Sequence, residues 1–199
     1  MNQPDFAGAV AYALARLKTD IPPKFTYHTI WHTQEDVLPA SLQIAQHSGV
    51  SEAELRLIEV AAAFHDIGFT EVYASHELAG VRVAAQILPE YDFASRDIEV
   101  ILGMIMATRL PQSPRNLLEE IVADADLDVL GRPDFFVRNA LLQQEWANFG
   151  HEMPPRLWYE GQLAFMRHHT YFTPAARMLR NHLKKQHILA IEEKLRSLH

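Results

Sequence analysis

Residues 64–69 read "FHDIGF" and set His65 beside Asp66 at the end of an apolar run. Leu55, Ile58, Ala62, His65 and Asp66 fall at i, i+3, i+7, i+10 and i+11, which on a helix turns both members of the doublet inward. An ionised carboxylate in that position is costly unless it is paired or binds a metal. The stretch "EIVADADLDVLG" poses the same problem. Val122, Ala125, Asp126, Val129 and Leu130 lie at i, i+3, i+4, i+7 and i+8, so Asp126 sits within an apolar stripe, while Asp124 and Asp128 share the neighbouring face with Leu117 and Ile121. In "YHTIWHTQED", His28, Trp31, His32 and Glu35 stand at i, i+3, i+4 and i+7, so two imidazoles and a carboxylate can share one helix face. Imidazole nitrogens and carboxylate oxygens gathered from several helices suit a borderline or hard divalent ion with positions left open for water. Taken singly, each signal also fits a satisfied core histidine or an ordinary ion pair.

The elements that must position these groups read as helices almost throughout. Phe6, Val10, Ala13, Leu14 and Leu17 form a first stripe, stopped at "DIPP". A second helix starts near Thr26 or Thr29 and runs towards His47, with a kink expected at Pro39. "SEAE" is a capping box, Ser51 as N-cap and Glu54 three residues on, for the helix that ends in the doublet. Ser75 and Ser95 can cap the next two, and Ser113 followed by Pro114 a third. Helices over Phe135–Trp146, Leu157–Arg167 and Pro174–Leu198 bring the expected total to about nine. No stretch alternates long enough to argue a strand. An all-α bundle is expected, one domain over 1–199 with loops at 111–114 and 150–155.

The order of His32, the doublet within "HDIG", and Asp126 in "ADADLDVLG" resembles the HD-domain superfamily of metal-dependent phosphohydrolases in its HDIG form. The resemblance spans about residues 24–140, with 150–199 as a helical extension. It implies that His32, His65, Asp66 and Asp126 coordinate one divalent ion (Mn, Fe, Co, Ni, Zn or Mg), Asp124 being the alternative to Asp126 because both follow an alanine. It implies hydrolysis of a phosphoester of a nucleotide or small phosphorylated metabolite, with Asp66 also steering the attacking water and His28 resembling the histidine that protonates the leaving oxygen in related phosphodiesterases. His76, in "SHELAG", matches the first extra histidine of binuclear members, yet no histidine lies between it and His151. One metal is therefore expected, with His76 on the substrate side and Glu77 as an alternative acid. Phe69 stands where the deoxynucleotidases of this superfamily carry a catalytic glutamate, and Phe69 and Thr70 where hydrolases of guanosine tetraphosphate carry acids. Arg109 and Arg115 are the nearest candidates to bind phosphate. The rivals are a non-catalytic nucleotide- or metal-binding module and, more remotely, a di-iron oxygenase.

Composition narrows the partners. With 18 basic and 25 acidic residues the net charge is −7, which disfavours nucleic acid. Cysteine is absent, so a metal must sit on His, Asp or Glu. The N-terminus reverses the charge order of a signal peptide, and no apolar run reaches a membrane span, so a cytoplasmic protein with no membrane partner is expected. The exposed helix faces leave room for a homodimer.

Overall fold

The computed structural model describes residues 3–198, among which there are nine α-helices and no strand. Helix α1 (Phe6–Asp20) is capped by Asp5, whose side chain accepts from Gly8 N–H at 2.8 Å. Helix α3 (Glu52–Phe64) is the axis of the bundle. Its expected capping box is formed: Ser51 Oγ accepts from Glu54 N–H, and Glu54 Oε2 accepts from Ser51 N–H at 2.8 Å. From Val60 to Phe64 every residue is fully buried, because α1, α2, α5 and α6 all pack against it. Ala61, Ala62 and Ala63 keep that surface narrow enough for several helices to approach at once. Complete burial of large apolar side chains such as Ile58, Phe64, Ile101, Ile105 and Ile121 contributes about 1.5–3 kcal/mol each, which offsets the cost of holding charged groups at the end of α3.

The helix that carries His32 departs from α-geometry. Residues His32–Val37 form a π-helical turn that leads directly into α2 (Leu38–Gln46), with Leu38 N–H donating to Thr33 O. Pro39 has no N–H to offer the Glu35 carbonyl, and the chain widens just before it. The kink expected at Pro39 takes this form. Asp36, four residues on from His32, is buried beside it, whereas Trp31 and Glu35 are exposed.

After the doublet a 3-10 turn (Ile67–Thr70) brings α4 (His76–Ile87) back against the end of α3. Gly68 makes this possible, since a Cβ there would lie 1.9 Å from the His76 carbonyl oxygen. Ser75 occupies the N-cap position of α4 with φ 58° but makes no capping bond. In α5 (Ser95–Ala107) Ser95 is the first helical residue and Ala94 holds the cap position. Helix α6 (Leu117–Asp126) begins later than "SPRN" suggests. Asn116, with extended backbone, accepts from Glu119 N–H at 3.1 Å and displaces Ser113 as the cap.

Helices α7 (Phe135–Asn148), α8 (Pro155–His168) and α9 (Pro174–Ser197) complete the chain. Helix α9 packs on the 3-10 turn Asp128–Gly131, directly after Asp126, and α8 packs on α9. A Cβ at Gly131 would lie 2.4 Å from Arg180 O, Arg180 pairs with buried Asp128, and His187 Nδ1–H donates to Leu130 O at 2.9 Å. The segment carrying Asp126 is thereby clamped by the C-terminal helices. Among the described residues no helix is long and apolar enough to cross a membrane.

Candidate metal centre and its cavity

His65 ends α3 with its Nδ1–H donating to Ala62 O at 2.7 Å, which turns Nε2 toward Asp66 Oδ2 at 3.1 Å. Asp126 reaches the same point from the end of α6, its Oδ1 3.5 Å from His65 Nε2 and 3.4 Å from His32 Nε2. His32 Nε2 and Asp66 Oδ2 are 3.8 Å apart. Donors about 2.0–2.2 Å from one ion stand about 2.8–3.6 Å from one another in tetrahedral or octahedral arrangement, close to the separations found here. Two of these atoms, His65 Nε2 and Asp66 Oδ2, are buried and make no hydrogen bond. His32, His65 and Asp66 together form a buried group with the donor types and spacing of a metal site. The residues thus fit a divalent ion by both chemistry and unmet polar demand.

Charge explains the protonation of this group. Burial pulls the His32 pKa down, but the Asp126, Asp36 and Asp66 carboxylates outweigh it and raise it to about 9. Burial likewise opposes charge on His65, yet Asp66 and Asp126 raise it overall. Asp66 is pushed up by burial and brought well below the ordinary carboxylate range by His65 and His76. In this form protons supply the positive charge that the carboxylates require, so a cation binding here releases them.

A second layer, absent from the sequence reading, aims the first. Asp36 Oδ2 lies 3.4 Å from His32 Nδ1 and can hold the proton there, presenting Nε2 to the centre. Asp36 is fixed in turn by Arg132, 2.7 Å from its Oδ1, and by Arg138. Glu145, fully buried on α7, does the same for His28. Its Oε2 accepts from the backbone N–H groups of Thr26, Tyr27 and His28 at 3.0, 2.8 and 2.9 Å, and its Oε1 pairs with His28 Nδ1. Burial would raise the Glu145 pKa, and His28 with these backbone donors brings it below the usual range. His28 therefore precedes the helix instead of sharing a face with Trp31 and Glu35.

The centre opens into a cavity of about 840 Å³. His28, Asp66, His76, Glu77, Asp126 and Arg109 all line it. His76 Nε2 stands 3.4 Å from Asp66 Oδ1, and its ring stacks on Phe69 at 3.6 Å, so the phenyl ring at this position supports an imidazole. Arg138 also lines the cavity and keeps a buried Nε–H without a partner. Its inward place on α7, three residues after Phe135, is the one local sign of it in the sequence. Arg115 is not among the lining residues; its backbone N–H donates to Glu119. Asp124 points away from the centre. It accepts from Phe172 N–H, Thr173 N–H and Thr173 Oγ1, each at 2.8 Å, and joins α6 to the start of α9.

Residues 35–128 match the family model of the HD domain, and this stretch of the chain is an HD domain. The matched stretch holds His65, Asp66, His76 and Asp126, with His28 and His32 just ahead of it. In fold the chain is similar to the crystal structure of a predicted HD superfamily hydrolase from an uncultured Thermotogales bacterium. The TM-score is 0.66 at 18% identity, over 98% of this chain and 94% of that one. It is similar as well to the crystal structure of a Lactobacillus plantarum protein, with TM-score 0.65 and 16% identity over 96% and 97% of the two chains. No curated protein matches the chain.

Proposed function

We propose that this protein is a metal-dependent phosphohydrolase that cleaves a phosphoester of a nucleotide or small phosphorylated metabolite with one divalent ion. The observation that carries the reading is a pair of buried atoms without hydrogen-bond partners, His65 Nε2 and Asp66 Oδ2, beside a cavity that Asp66 lines together with His28, His76 and Arg109. His32, His65, Asp66 and Asp126 would hold the ion. Bound there, it supplies Lewis acidity and lowers the pKa of a coordinated water. Asp66 can hold a water through Oδ1, which faces His76. His28, oriented by Glu145, donates a proton to the leaving oxygen. Arg109 and the free Nε–H of Arg138 are the donors for phosphoryl oxygens, and Glu77, 3.8 Å from His76, is a reserve acid. The hydrolase designation of the Thermotogales protein agrees with this reading.

The test is metal content per chain by mass spectrometry on tag-free protein, followed by turnover of nucleotides and phosphomonoesters under each divalent metal. About one ion per chain with metal-dependent phosphate release is expected. Metal bound without turnover of any ester would instead mark a binding module.

A further inference from the structure

The cavity is far larger than a phosphoryl group needs, and its two ends differ in kind. Away from the His and Asp cluster its walls are two helix faces. On α7 these are Phe135, Arg138, Asn139, Leu142 and Trp146, and on α8 Leu157, Trp158, Gly161, Gln162 and Phe165, both at helical spacing. Asn139 is held on both sides. Asn139 Oδ1 accepts from Trp158 Nε1–H at 2.8 Å, and Asn139 Nδ2–H donates to Gln162 Oε1 at 2.6 Å. The chamber thus offers a ligand mainly ring faces and methyl groups.

Gly161 adds a separate observation. It lies inside α8, where glycine stabilises a helix less than alanine does. A Cβ there would meet nothing within 4 Å, so no neighbouring atom calls for glycine, and its backbone has no positive φ. Gly161 is solvent-exposed and lines the cavity, so the missing side chain leaves open space on the cavity's exposed side.

We propose that this chamber between α7 and α8 binds an apolar, ring-sized carbon skeleton, which on the reading above is the alcohol part of the ester. Polyhydroxylated sugar phosphates are disfavoured, because a wall made mostly of carbon has too few polar groups to pair with all of their hydroxyls. Nucleosides are less well served than plain aryl groups, since Asn139 is already paired through both its oxygen and its nitrogen.

The test separates the chamber from the chemistry. Trp146 and Trp158, two of the three tryptophans, line the cavity, so binding of phosphate-free 1-naphthol is read by tryptophan fluorescence, with no turnover required. Saturable quenching is expected in the native protein and in Gly161→Ala. Gly161→Phe should weaken it at least tenfold while melting temperature and metal content are held. In turnover, kcat/KM for 1-naphthyl phosphate should exceed that for glycerol 3-phosphate at least tenfold, and the ratio should collapse in Gly161→Phe. Absence of naphthol binding, binding indifferent to Gly161→Phe, or preference for glycerol phosphate or nucleoside monophosphates would overturn the proposal. Naphthol binding that responds to Gly161→Phe, with no ester cleaved under any metal, would support the chamber and sink the phosphohydrolase reading instead.

Discussion

Asp124 and Asp126 stand two residues apart near the end of α6, both follow an alanine, and their surroundings are opposite. Asp124 is fully buried, and its two oxygens accept three hydrogen bonds from residues 172 and 173. Asp126 turns one oxygen toward two imidazoles at 3.4 and 3.5 Å, next to a carboxylate oxygen and an imidazole nitrogen that make no hydrogen bond. The first acid is a joint whose polar demand is met from within the chain. The second stands against a group two of whose buried atoms make no hydrogen bond, the group proposed above to hold a metal. Burial alone therefore does not mark a site; burial with converging, unsatisfied donors does.

The largest effects should come from breaking this contrast directly. Asp66→Ala is expected to abolish metal binding and to lower turnover by about 10³-fold or more, the equivalent of several kcal/mol of lost charge stabilisation. Its melting temperature should change little, because no hydrogen bond to Asp66 Oδ2 is lost. Asp124→Ala should do the reverse, keeping its metal and losing about 3 kcal/mol of stability as buried N–H groups at 172 and 173 go unpaired. Mass spectrometry and thermal melts on both variants decide it. Loss of metal in Asp124→Ala with metal retained in Asp66→Ala would exchange the two roles.

Glu145→Gln comes next. It keeps the shape of the side chain but removes the negative charge opposite His28, so kcat should fall about 10²-fold with metal content unchanged. A variant with normal kcat would remove His28 from the chemistry. Asp36→Asn tests the other support. Metal affinity should weaken about 10–100-fold in a chelator competition, as is usual when the partner of a ligating histidine is altered. Unchanged affinity would mean that Asp36 serves only Arg132 and Arg138.

These two supports show where sequence stops being informative. The inward turn of His65, Asp66 and Asp126 is legible because helical spacing is local, and so are the helices and the capping box at Ser51. Asp36 stands four residues after His32, where helical spacing puts it on the same face, but nothing local marks it rather than Glu35 as the carboxylate that meets His32 Nδ1. The pairing of Glu145 with His28 spans 117 residues and that of Arg138 with Asp36 spans 102, distances over which no local pattern operates. Arg115 shows the converse: proximity in sequence to Arg109 placed it near the site, but the loop before α6 carries it elsewhere. Asp124 and Asp126 could not be separated by an "AD" pattern that both satisfy, and only the distant Thr173 distinguishes them.

The smallest expected effect tests the rule itself, because a buried ring nitrogen without a hydrogen-bond partner also lies outside the site. His169 Nε2 has no hydrogen bond, while its Nδ1 accepts from Lys184 Nζ at 2.9 Å and its ring packs edge-on against Tyr171. No acid faces it, so by the argument above it is a structural group and not a ligand. Burial, and then the charge of Lys184, depress its pKa from 6.5 to about 3. Between those values the unfolded chain binds more protons than the folded one, so this histidine makes stability fall as pH drops below 6.5. The loss should reach about 1 kcal/mol at pH 5.5 relative to pH 7. His169→Gln keeps an acceptor for Lys184 and removes the titration, so denaturant melts at the two pH values should show a smaller acid loss in the variant, with metal content unchanged. An identical acid loss in both proteins would place the proton uptake elsewhere. Loss of metal in His169→Gln would show that a lone unsatisfied nitrogen can belong to a ligand site without converging carboxylates, and the distinction drawn between Asp124 and Asp126 would lose its basis.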